Sequence, residues 1–154
     1  KLDLRMKKKY VTFKKVKEDI KIINSKINKS NWIPDVILSV NRGGCVPGVF
    51  LSHIRDLNHE VLSFKQKISN YNDEYIKKIK NNNLSILIFD DINDTGDTLT
   101  EIKNNFKDYV INIRFAVLIN NKSSSFKVDY WGSEIDKNID NSWIVFPWEN
   151  IDAE

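Results

Sequence analysis

A chain of 154 residues, 41% hydrophobic and 29% charged, has the size and composition of one domain with a genuine core rather than of a disordered segment. Its net charge of +3 is too small to mark a nucleic-acid binder, and no apolar run reaches the roughly 18 residues that cross a bilayer. The single cysteine excludes an intrachain disulfide and fits a reducing compartment; the start, Lys1-Leu-Asp-Leu-Arg5, lacks a signal-peptide core, and a cytoplasmic setting is expected.

Lys7-Lys8-Lys9 reads as a solvated face or arm. Val16, Ile20, Ile23 and Ile27 recur at helical spacing from Thr12, a candidate N-cap, to about Lys29, and Trp32-Ile-Pro34 ends that helix. Val36 to Val40 is a β-branched run suited to a buried strand. The turn that follows is Asn41-Arg42-Gly43-Gly44-Cys45-Val46-Pro47-Gly48. Paired glycines let backbone approach a ligand, consecutive N–H groups form an anion nest, and Arg42 adds a planar donor fork suited to phosphate. A tight turn between strand and helix is the plainer reading of the same residues. An apolar helix from Pro47 to about Leu57 and a short strand from Glu60 to Phe64 come next. Residues 65 to 75 are polar and irregular, and Tyr75 to Lys80 reads as a short helix.

Ile86-Leu-Ile-Phe-Asp90-Asp91-Ile-Asn-Asp94-Thr95-Gly96-Asp97-Thr98-Leu99 is the most informative segment. The strand from Ser85 to Phe89 ends in carboxylates, and the helix from Asp97 to Phe106 opens at once. Open α/β sheets bind ligands at such strand ends, and the free N–H groups of a helix N-terminus favour a phosphate. Carboxylates beside a phosphate cradle call for a cation or a sugar with hydroxyls between them. Ile111 to Ile119 is another strand; after Asn120 come Ser-rich turns, aromatic residues and one late strand near Trp143 to Phe146. Alternating strands and helices imply an α/β fold with a mostly parallel sheet and helices on both faces, capped by the aromatic tail. Cys45, His53 and His59 read as structural or solvated residues, and two histidines without partner spacing make no zinc site.

The acidic segment resembles the 5-phosphoribosyl-1-pyrophosphate (PRPP) binding motif of type I phosphoribosyltransferases, with every diagnostic position filled. The Arg42-Gly43-Gly44-x-Val46-Pro47-Gly48 turn is similar to the pyrophosphate loop of xanthine-guanine phosphoribosyltransferases, with Asn41 where Ser is usual. Ala116 to Lys122 and Trp143-Ile144-x-x-Pro147-Trp148-Glu149 look like the base-binding portion of the 6-oxopurine branch. The resemblance implies the type I phosphoribosyltransferase fold: an N-terminal arm and helix (1–30), a core (34–119) and a small C-terminal hood (120–154). It implies transfer from PRPP to guanine, xanthine or hypoxanthine in purine salvage, with Mg²⁺ as cofactor, no membrane or nucleic-acid partner, and a homodimer or homotetramer.

Site roles are implied in the same way. Arg42, Gly43 and Gly44 would bind pyrophosphate; Asp90 and Asp91 the ribose hydroxyls; Asp94 would take or stabilise the purine N7 proton. Thr95, Gly96, Asp97 and Thr98 would cradle the 5′-phosphate. Lys122 would donate to the purine O6, Trp143 would stack on the ring, and backbone around Trp143 and Ile144 would meet the C2 substituent. Asp90, Asp91 and Glu149 would hold magnesium. Asp97 stands where Gly or a basic residue is common, and is expected to point to solvent on the first helical turn. Lys65, Lys67, Ser69 and Tyr71 would sit on a lid that excludes water. The alternatives are a family member for another base, and a PRPP- or nucleotide-sensing regulator.

Overall fold

The computed structural model describes residues 6–63, 73–107 and 112–152. The chain enters through a short strand, β1 (Lys8–Tyr10), and turns into helix α1 (Phe13–Lys29). Thr12 caps that helix as expected, its hydroxyl oxygen accepting from the Lys15 N–H at 3.1 Å. Strand β2 (Val36–Asn41) leads into helix α2 (Cys45–Arg55), strand β3 (Asn58–Ser63) and helix α3 (Asp73–Asn81). Strand β4 (Ser85–Asn93), helix α4 (Asp97–Phe106) and strand β5 (Asn112–Asn121) follow. Strands β6 (Tyr130–Ile135) and β7 (Trp143–Val145) and a one-turn 3₁₀ helix at Pro147–Glu149 complete the chain.

Five strands form one sheet in the order β3-β2-β4-β5-β6, and every neighbouring pair is parallel. A sheet of this kind is covered on both faces, so its strands read as continuous apolar runs. Side-chain alternation then divides the core. Ile37, Leu87, Phe89, Ala116 and Leu118 pack with Val16, Ile20, Ile23 and Ile27 of α1 and Leu51 of α2. Val36, Leu38, Val40, Ile86, Ile88 and Val117 pack with Leu99, Ile102 and Phe106 of α4 and Ile79 of α3 on the other face.

The tail departs from its expected form. The sequence gives one late strand after Asn120; the structure has two, and β6 is the outermost strand of the main sheet rather than part of a hood. A parallel neighbour normally needs a helical crossover. Here residues 122–129 make the return without one, because β6 starts beside Ala116, well back along β5. Phe126 seats that return against Phe115, ring centroids 4.8 Å apart and edge to face. On the opposite face Asp19 of α1, fully buried, accepts from Ser133 Oγ of β6 at 2.9 Å and from Lys15 Nζ at 2.6 Å.

Lys7-Lys8-Lys9 is exposed as expected, while its backbone enters β1, which pairs in parallel with β7, Lys8 opposite Trp143 and Tyr10 opposite Val145. Helix α2 begins at Cys45, before Pro47. Proline is tolerated in a first turn, where its missing N–H would have had no partner. The helix ends at Arg55 because Asp56 takes a left-handed conformation, φ 51°.

Candidate active site

Parallel strands deliver their carboxyl ends to one edge of the sheet, and the chain reverses its direction of sheet growth between β2 and β4. Ligands of open α/β sheets lie in the crevice at that reversal. The ends of β2 and β4 meet there. A Cβ on Gly43 would collide with the Asp91 carboxylate, and one on Gly44 with the Phe89 carbonyl oxygen, so only glycine lets this turn lie against β4. The Asn41–Arg42 peptide bond is cis. Arg42, Gly43, Val46, Asp91, Trp148 and Glu149 line a cleft of about 740 Å³.

Asp90 and Asp91 carry the most unfavourable charges of the site. Burial first, and then the neighbouring Asp91, pushes the Asp90 carboxyl well above the usual range. Burial also raises Asp91, to about 6, with the charge of Glu149 adding to the effect; hydrogen bonds, including one from the Ile92 N–H at 2.8 Å, act against it. Glu149 is exposed and accepts from the Phe146 N–H at 2.7 Å, which fixes the end of the chain beside Asp91. Trp148 stacks on Phe146 with centroids 5.0 Å apart and rings nearly parallel.

A smaller cavity of about 220 Å³ follows β4 and is lined by Asp90 to Leu99. Gly96 caps α4 with φ 96°, a conformation that L side chains rarely adopt. The first-turn N–H groups of such a helix have no intrahelical acceptors, and they face an anion favourably. Asp97 is exposed on the first turn, and its N–H donates to Thr95 Oγ1 at 3.3 Å. The return from β5 to β6 buttresses this loop from behind. Ser125 donates to the Thr95 carbonyl from its N–H at 3.0 Å and from its hydroxyl at 2.9 Å.

Two buried asparagines join the two loops, and the sequence reading passed over both. Asn93 Nδ2 donates to the Phe126 carbonyl at 2.8 Å and to Asn120 Oδ1 at 2.9 Å, while Ser124 Oγ donates to Asn93 Oδ1 at 2.8 Å. Asn121 Nδ2 donates to the Asp94 carbonyl at 2.8 Å, and its Oδ1 accepts from the N–H of Lys137 at 3.0 Å. Lys137 is a third residue without a sequence signal. Its Nζ lies 4.0 Å from Asp94 Oδ2, the lysine side chain 15% exposed and the aspartate 42%.

Lys122, Trp143 and Ile144, expected at the base, line neither of these two cavities. Lys122 is exposed at the end of β5, its N–H donating to the Ile135 carbonyl at 2.9 Å. Trp143 is 40% exposed at the start of β7, and its N–H donates to the Lys7 carbonyl at 2.8 Å. Ile144 is buried in the core beneath α1. Lys65, Lys67, Ser69 and Tyr71 of the expected lid lie outside the described residues. Cys45 is half-buried in the glycine turn, and burial raises its thiol above the usual value, which fits a packing residue rather than a nucleophile. His59 bonds Ser39 at 2.8 Å away from the site.

A parallel sheet with a glycine turn, paired acids and a glycine-capped helix N-terminus at its switch point is the arrangement that the type I phosphoribosyltransferase resemblance implies. The chain belongs to the phosphoribosyl transferase domain family, whose model matches residues 8–150. It is similar to the purine phosphoribosyltransferase of Pyrococcus horikoshii, at 30% identity over 94% of this chain and 95% of that one, with a TM-score of 0.72. The xanthine-guanine-hypoxanthine phosphoribosyltransferase of Helicobacter pylori shares the fold at 22% identity, covering 94% of each chain, with a TM-score of 0.74. A Neisseria gonorrhoeae protein crystallised with bound ppGpp shares it at 16% identity, over 97% of this chain and 93% of that one, with a TM-score of 0.78.

Proposed function

We propose that this protein transfers the phosphoribosyl group of PRPP to a 6-oxopurine (guanine, xanthine or hypoxanthine), releasing pyrophosphate and a nucleoside 5′-monophosphate. The observation that carries the reading is the approach of Gly43 to Asp91 at the switch point, beside the Asp90–Leu99 cradle. One ligand with phosphates at both ends and a sugar between them satisfies the glycine turn, the acids and the helix N-terminus together.

In the reaction the bond from the anomeric carbon to pyrophosphate breaks and the bond to the purine nitrogen forms. Arg42 and the backbone of Gly43 and Gly44 bind the departing oxygens. Asp90 and Asp91 accept hydrogen bonds from the ribose hydroxyls, and their charge favours the positive character that develops on the sugar. Thr95, Gly96, Asp97 and Thr98 hold the 5′-phosphate. Asp94 accepts the proton leaving N7 of the base. Lys122 donates to O6, which selects against the amino group of adenine, while Trp143 stacks on the ring and backbone near Ile144 meets the C2 substituent.

The acids also suit magnesium. Asp90, Asp91 and Glu149 are hard oxygen donors, and two of them are buried against their own charge. Among the described residues no three acidic, His or Cys side chains are grouped closely enough to hold a metal by themselves. Substrate and water oxygens would therefore complete the shell. Bound there, the ion would neutralise the charge that builds on departing pyrophosphate. The single cysteine supports a cytoplasmic setting for this reaction, and a homodimer or homotetramer is proposed by family likeness.

A nucleotide-sensing protein is the second reading, favoured by the ppGpp held by the Neisseria gonorrhoeae neighbour. The two are separated by turnover. With PRPP, magnesium and a 6-oxopurine, the wild type should release pyrophosphate, and Asp94→Ala should lower kcat by about 10²- to 10⁴-fold while still binding PRPP. An Asp94→Ala protein as active as the wild type would refute the assignment of the base.

A further inference from the structure

Lys137 is built into the wall behind Asp94, between β6 and β7. Its ammonium donates to the Ser142 carbonyl at 2.7 Å and lies 4.0 Å from Asp94 Oδ2. Its backbone N–H donates to Asn121 Oδ1, and the amide nitrogen of the same Asn121 donates to the Asp94 carbonyl. The two residues are thus tied through a shared, buried asparagine as well as by charge. At 4.0 Å the charges attract without a direct hydrogen bond, so the carboxylate oxygens remain open to a substrate donor. A lysine whose ammonium is withdrawn from water is unfavourable unless a charge or a polar group meets it. Ser142 and Asp94 meet it here. Ser142 is the residue before Trp143, so one ammonium joins the start of β7 to the acid of the phosphate loop.

We propose that Lys137 is a positioning residue for Asp94: it holds the carboxylate aimed at the purine proton and holds the base-stacking strand in register with it. The inference rests on the phosphoribosyl-transfer reading. Asp94 takes the proton, and Lys137 acts through it without touching the base.

The test is a double-mutant cycle on the full chain, with Lys137→Met, Lys137→Arg, Asp94→Asn and the double variant Lys137→Met/Asp94→Asn. Lys137→Met should lower kcat by about tenfold or more with the KM for PRPP within about twofold, and Lys137→Arg should recover most of that loss. In the Asp94→Asn background Lys137→Met should add less than about twofold, since the group it serves is already gone. Where Asp94→Asn turns over too slowly, the same cycle is read from the affinity for the nucleoside monophosphate product by calorimetry. Wild-type kcat in Lys137→Met, or an equal further loss on Asp94→Asn, would overturn the proposal and leave Lys137 a prop for β7. A wild type inert with every purine would instead remove the reading beneath it.

Discussion

Asp91 shows how a buried carboxylate costs stability at the level of one residue. Its carboxyl, raised from 3.8 to about 6 chiefly by burial, binds a proton more tightly in the folded chain than in the unfolded one. Stability from this group is therefore fully present below pH about 4 and is lost as pH rises through about 6. At neutral pH the ligand-free protein carries a strained charge worth up to about 3 kcal/mol. Asp91→Asn keeps the acceptor for the Ile92 N–H and removes the charge. Thermal melting should show that variant more stable than the wild type at pH 7.5, with the gain shrinking toward pH 4, while transferase activity is lost. A variant less stable at pH 7.5 would contradict this account of Asp91. On the proposed reading the same proton predicts an acid limit: below pH about 6 the affinity for magnesium-PRPP should fall, by up to about tenfold per unit. The acids, glycines and threonines of the proposed site stood out in the sequence through the motif they share with the family, and the structure gathers them at the ends of β2 and β4. Lys137 did not, because its partners Asp94, Asn121 and Ser142 follow β4, end β5 and precede β7, and only the folded chain brings them together.

At the scale of elements, the β5–β6 return is what holds the loop between β4 and α4 in place. Asn93 is buried at the end of β4 and satisfies the Phe126 carbonyl, Asn120 and Ser124 at once. Asn93→Ala leaves those groups unpaired in the interior, which should cost about 2 kcal/mol and weaken PRPP binding more than purine binding. Chemical denaturation and calorimetry on the same variant check both halves. The regular helices and inner strands could be read from periodicity: α4 and the start of β4 lie where the sequence puts them. Strand β6 could not. Tyr130-Trp-Gly-Ser-Glu-Ile135 has neither an apolar run nor clean alternation, and its Gly132 looks like a turn. The glycine is there because a Cβ would strike Asp19 of α1, a contact made across the whole chain.

For the whole molecule, the α/β class and the parallel sheet followed from the alternation of elements, and the proposed site lies where such a sheet reverses. Which segment completes the base end was less visible. Strand β7 is held by β1 through the Trp143 N–H to the Lys7 carbonyl and the Val11 N–H to the Val145 carbonyl, 2.8 and 2.9 Å. Basic residues on an N-terminal strand gave no hint of that partnership. Removing residues 1–10 should raise the KM for purine by about tenfold or more and leave PRPP affinity within about threefold, since the two loops proposed to bind PRPP lie at the end of the main sheet. Equal loss of both would show the two ends of the site to be inseparable. The central claim is tested most directly by supplying PRPP and magnesium with guanine, xanthine, hypoxanthine, adenine or uracil in turn, and measuring nucleoside monophosphate and pyrophosphate together. The account predicts the two products in equal amounts with at least one 6-oxopurine and neither with adenine or uracil. PRPP binding without turnover of any base, or turnover of adenine or uracil alone, would contradict it.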